Sequence, residues 1–129
     1  MPIPAKSPEM LGQEIWSGCF RLPFPARWMH KLLQPGTYRV VFIIAGAKFV
    51  TTVYSQNMAA MMAPIRLRKA QALEESTILL RTTGLLPQVH SLRLASPGLE
   101  VHFEDEALGS DVQPTVLPLR EIAHSCFSL

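Results

Sequence analysis

The stretch from Pro35 to Ser55, PGTYRVVFIIAGAKFVTTVYS, is the most apolar continuous piece of the chain, and it constrains the fold more than any other. It is dense in β-branched and aromatic residues and is broken once, at Gly46-Ala47. That pattern reads as two strands folded back on each other. Gly46 supplies the positive φ that a two-residue hairpin turn demands. The register this implies puts Ile44 opposite Phe49, Phe42 opposite Thr51 and Val40 opposite Val53. Val40, Phe42, Ile44, Phe49 and Val53 then share one face. Lys48, Val50, Thr52 and Tyr54 lie on the other. The first strand is apolar on both faces, which predicts a central, doubly covered strand. The second is less apolar and belongs nearer an edge.

The rest of the 129 residues is read around this hairpin. Residues 1–10 carry Pro2, Pro4 and Pro8 and form an extended arm ahead of a single globular domain over 11–129. Leu11–Leu22 fits a bent strand or a short helix equally. Pro25 followed by ARWMHKLL predicts a short helix ended by Pro35-Gly36, with Trp28/Leu32 and Met29/Leu33 as i,i+4 pairs. Asn57–Glu75 is rich in helix formers; it predicts a turn through Met58–Ala63 and a helix over 64–75, with a strand at Ile65–Lys69 as the alternative.

Thr77–Thr83 predicts a strand ended by Gly84. Val89–Glu104 predicts a second hairpin turning at Pro97-Gly98, with Ala95 opposite Glu100. Leu92, Leu94, Val101 and Phe103 then face inward, and Arg93, Glu100, His102 and Glu104 outward. Thr115–Ile122 predicts a last strand, confined to an edge by Pro118. The fold class expected is α+β: a predominantly antiparallel sheet of five or six strands with one or two short helices packed on it.

Composition narrows the function classes. Charged residues are 17% of the chain, below the usual quarter or so, while hydrophobic residues are 48%. So few charges leave apolar surface for a partner to cover. The net charge of +2 falls short of the basic footprint of a dedicated nucleic-acid binder. Two cysteines, Cys19 and Cys126, have no metal-ligand spacing and predict reduced thiols, Cys19 buried and inert. The first ten residues lack a signal-peptide apolar segment and no run is long enough to span a bilayer, so a soluble, intracellular (cytoplasmic) protein is expected.

No nucleophile elbow, phosphate-binding glycine loop or zinc signature occurs, and no cofactor or metal is expected. His102 and Glu104, two apart on a strand, are the best candidates for acid–base or metal chemistry, although a solvated charge ladder with Arg93 and Glu100 accounts for them as well. His90 falls on the inward parity. Arg66, Arg68 and Lys69, with Arg81 next along the chain, could meet phosphates, and Trp16, Trp28, Tyr38 and Tyr54 could stack on bases. Met58, Met61 and Met62 belong to a flexible, adaptable segment. The terminal Cys126-Phe127-Ser128-Leu129 matches a prenylation signal poorly. The reading that follows is a non-enzymatic protein-interaction or assembly module, expected to self-associate, whose partner is itself (a homo-oligomer) or another protein. Its expected contact residues are Lys48, Val50, Thr52, Tyr54, Met58, Met61 and Met62. Nucleic-acid binding is the alternative, and a small enzyme or metal site at His102/Glu104 the third.

Overall fold

In the computed structural model, residues 13–71, 73–82, 84–104 and 114–121 are described. The Pro35–Ser55 segment forms β4 (Gly36–Ala45) and β5 (Lys48–Tyr54), paired as Ile44 with Phe49, Phe42 with Thr51 and Val40 with Val53. Gly46 has φ of 64° at the turn. The hairpin lands in the register its sequence predicts, because the apolar face and the glycine position demand the same pairing.

Among the described residues there is no helix, so the expected α+β class is replaced by an all-β one. The first sheet has the order β12-β1-β4-β5-β6, with β1 over Gln13–Leu22, β6 over Ala59–Met62 and β12 over Arg120–Glu121. The second runs β11-β8-β9-β10-β7, built from β7 (Arg66–Lys69), β8 (Thr77–Thr82), β9 (Pro87–Leu94), β10 (Leu99–His102) and β11 (Thr115–Pro118). A small hairpin, β2 (Ala26–Trp28) and β3 (Lys31–Leu33), joins this sheet through a parallel contact of Arg27 with Gln88 on β9.

Both helix expectations fail for one reason: short segments lack the length to hold a helix unaided, and pairing across the fold decides them. Around Trp28 the true period is two. Ala26 and Trp28 are fully buried, and the chain reverses at Met29, whose φ is 55°. Residues 64–75 contain helix formers, but Arg66–Lys69 form a strand on β10, with Leu67 opposite Val101. The alternative strand reading is therefore the observed one. The methionine segment, expected as a turn, is strand β6.

The two sheets face each other across one core. Trp16, Phe20, Val40, Phe42, Val53 and Met62 from the first meet Trp28, Ile78, Leu80, Leu92, Leu94 and Val101 from the second. Trp28 sits at its centre, with Phe103 edge-on at 5.2 Å and Phe20 at 6.3 Å between ring centroids. Both flanks are crossed by the chain itself. Leu119 carries it from β11 to β12, anchored by its N–H on the Ser76 carbonyl at 3.0 Å; Ala63–Ile65 carries it from β6 to β7, with the Ile65 N–H on the His102 carbonyl at 2.9 Å. The result is two sheets packed face to face rather than one sheet with helices on it. Pro118 takes its expected place on an edge strand, opposite Thr77.

The second hairpin keeps its expected buried face but not its register. Leu94 pairs with Leu99 and Arg93 with Glu100, two residues from the expected pairing. The connection is a four-residue turn, Ala95–Gly98, closed by the Gly98 N–H on the Leu94 carbonyl, and Gly98 has φ of 85°. A slip of two preserves side-chain parity, which is why the buried set survived.

Candidate functional site

The outer face of the second sheet carries the polar residues that the sequence singled out. Glu100 is the hub. Its Oε1 lies 3.0 Å from Nε2 of His102, and its Oε2 lies 3.3 Å from Nη2 of Arg93 across the strand pair. Glu104 does not join His102. It forms a forked pair with Arg81, at 2.9 Å from Nε and 2.8 Å from Nη2. The charge ladder is thus the arrangement present, and His102 and Glu104 act in separate pairs.

His90 is not on the core face. A bulge in β9, between the partners of Leu79 and Leu80, turns Val89 inward and leaves the His90 ring against that of His102, centroids 5.5 Å apart. Nδ1 of His90 lies 3.1 Å from the Ser91 hydroxyl. His102 is only 7% exposed, and its Nδ1 has no hydrogen-bond partner among the described residues. Burial holds its pKa below the ordinary histidine value; Glu100 opposes this, and His90 and Arg66 reinforce it. No three His, Cys, Asp or Glu side chains among the described residues are arranged to hold a metal ion.

The basic cluster is divided. Arg66, Arg68 and Lys69 are exposed on edge strand β7, with Arg66 opposite His102 and Arg68 opposite Glu100. Arg81 is committed to Glu104. Trp16, Trp28 and Tyr38 are buried and present no ring for a base to stack on; Tyr54 is half-buried. Cys19, expected as an inert thiol, is half-buried and disulfide-bonded. The chain's other cysteine, Cys126, lies outside the described residues, as do the Pro2–Pro8 arm, His124 and the last four residues.

The expected contact surface is built on β5 and β6. Lys48 is exposed, Val50, Thr52 and Tyr54 are half-buried on the outer face, and Met61 is 65% exposed opposite Thr52. Met62 is buried and Met58 packs against the core, so they support the strand rather than present it. The methionine run thus alternates in and out, a strand signal that its helix-forming composition hid.

Among the described residues, strand β6 pairs with β5 alone. The Ser55 N–H donates to the Met58 carbonyl at 2.9 Å, which sets the ladder's phase. Ala60 and Met62 therefore turn their backbone groups toward β5, and Ala59 and Met61 turn theirs away.

Beside this edge, a half-open cleft of about 460 Å³ lies between the start of β5 and the crossing to β7. Sequence reasoning did not find it. Its walls include Phe49, Val50, Ala63, Ile65 and Leu67. Phe49 stacks on the buried Phe42 at 5.9 Å, and Leu67 lies opposite the buried Val101, so the cleft opens where the two sheets part. Lys48 and Arg66 are the charged residues of its lining, and no acidic residue lines it among the described residues.

No helix among the described residues is long and apolar enough to cross a membrane. Comparisons with protein families, with curated proteins and with solved structures find no match to this chain.

Proposed function

We propose that this chain is a non-enzymatic assembly module that pairs with a second copy of itself along β6. The observation that carries this is the edge at Ala59 and Met61, which no strand among the described residues pairs, with the Met61 side chain 65% exposed beside it. Exposed edges are templates for strand pairing, and proteins ordinarily blunt them with lysine, proline or a bulge. Ala59–Met62 contains none of these residues. It contains no charge either, so two copies can meet antiparallel without like-charge repulsion, each presenting the same residues to the other. The low charged fraction of the whole chain supports covered apolar surface. The disulfide at Cys19 favours an oxidising compartment over the cytoplasmic one expected from the cysteine count.

Light scattering on a sizing column tests this. The native chain is expected to run as a dimer, Met61→Lys as a monomer, and Leu85→Lys, at a fully exposed position elsewhere, as the native species. A monomeric native chain at high concentration, or a dimer untouched by Met61→Lys, overturns the proposal. Absorbance at 260 nm in the same run reads the nucleic-acid alternative through Arg66, Arg68 and Lys69.

A further inference from the structure

The cleft between the start of β5 and the crossing to β7 has features that self-association along β6 does not require. We propose that it is a binding site for an amphipathic carboxylate, the apolar tail lying between Phe49 and Leu67 and the carboxylate meeting Lys48. At about 460 Å³ it falls within the range of roughly 300–1,000 Å³ typical of small-molecule sites. Its shape is also that of such sites, being concave and mostly apolar with a few charged residues in its lining.

The walls argue for an alkyl or similarly apolar tail. Phe49 is 37% exposed and Ile65 46% exposed, both large apolar side chains left in contact with water beside a concave surface. Phe49 cannot retreat into the core, because Phe42 fills the space beneath it in a nearly parallel stack, 5° between ring planes. Leu67 is held by the pairing of β7 with β10. The walls are therefore preformed, and a tail entering between them buries apolar surface without reorganising the sheets.

The rim argues for the anion. Both charged lining residues are basic, and they come from opposite sides of the cleft: Lys48 from the hairpin turn of the first sheet, Arg66 from the start of β7 in the second. Arg68 and Lys69 follow on β7 and extend the positive field. A lysine stem lies along apolar surface while its ammonium reaches a headgroup at the mouth. A carboxylate there accepts charge-assisted hydrogen bonds, whereas a neutral headgroup of equal size forgoes them. A cationic amphiphile would be repelled.

Decanoate and decanol are the probes, titrated into the native chain by calorimetry, with amide chemical shifts followed in parallel. Decanoate is expected to bind about tenfold tighter than decanol, the size of one charge-assisted contact in a half-open site. The shifts are expected at 47–50 and 63–67. Ala63→Trp, which fills the cleft from an exposed position, is expected to abolish binding, and Lys48→Gln to remove the preference for decanoate. Equal binding of the two probes, no binding, or shifts confined elsewhere overturns the proposal, and the shift map decides the matter even if Ala63→Trp fails to fold. The monomeric Met61→Lys variant is expected to bind decanoate as the native chain does, so failure of the assembly proposal and failure of this one are separable.

Discussion

The imidazole of His102 meets that of His90 nearly at right angles, 80° between ring planes and 5.5 Å between centroids, while its Nε2 rests against Glu100. The pair is buried on the outer face of the second sheet. Protonating His102 would place a charge among His90 and Arg66 in a site with little water, which Glu100 offsets only in part.

Because the folded state holds the pKa of His102 below that of the unfolded chain, the neutral ring stabilises the fold above the unfolded value. That contribution is lost as pH falls through the unfolded value, near 6.5, toward the lower folded one. Urea midpoints measured at about pH 7.5 and about pH 5.5 are expected to fall on acidification. In His102→Gln, which keeps an amide near Glu100 and cannot charge, the fall is expected to shrink. An unchanged fall would assign the pH dependence to other groups.

Arg81 and Glu104 hold each other by two short bonds and are 20% and 13% exposed. Arg81→Ala is expected to cost about 1–2 kcal/mol, above an exposed pair and below a fully buried one. Arg81→Ala with Glu104→Ala is expected to cost less than the sum of the two single changes, and a double-mutant cycle by urea denaturation checks the coupling.

Gly18 lies on the core face of β1, opposite Val40 and Glu121. A Cβ there would strike the Trp16 ring and sit 2.5 Å from the Arg120 carbonyl oxygen. The strand needs glycine for close approach. Gly18→Ala is expected to destabilise by about 1–3 kcal/mol and to speed amide exchange at Arg120 and Glu121 as β12 is pushed off.

Thr51 is fully buried opposite Phe42, and its hydroxyl has no hydrogen-bond partner among the described residues. Thr51→Val removes the unpaired hydroxyl at nearly equal volume. Thermal denaturation is expected to show a gain of about 1 kcal/mol, where loss of a formed hydrogen bond would show a cost.

Cys19 lies opposite Arg120 on the β1–β12 pairing and is disulfide-bonded. Thiol titration of the native chain is expected to find no reactive cysteine. Reduction is expected to lower the melting temperature, in line with the roughly 2–4 kcal/mol typical of such bonds. Two titratable thiols without reductant would contradict the bond.

The β4–β5 hairpin was legible to the residue because two local signals, the apolar alternation and the glycine, select one register. The second hairpin was legible in face but not in register. Parity is written in the alternation of Leu92, Leu94, Val101 and Phe103, whereas register depends on the conformation of Ala95–Gly98. The ion pair of Arg93 with Glu100 followed from parity. The pairing of Glu104 with Arg81 did not, since Glu104 lies just past the end of β10 and reaches β8, which is not a neighbour of β10 in the order β8-β9-β10. His90 was misplaced because a bulge inverts parity and leaves no mark in sequence.

By itself, then, the sequence determined which apolar residues are buried in its strongest hairpins and where the first of them turns. Side-chain period and glycine conformation are local properties, and they act before any long-range contact forms. Tertiary structure alone decided that Ala26–Leu33 and Arg66–Lys69 are strands. Helix and strand are close in intrinsic free energy over such short lengths, so the burial of Trp28 and the ladder on β10 settled the choice. It also decided the cleft, which exists because Ala63–Ile65 crosses between sheets beside the turn at Gly46-Ala47. That juxtaposition depends on sheet order, which no local pattern encodes.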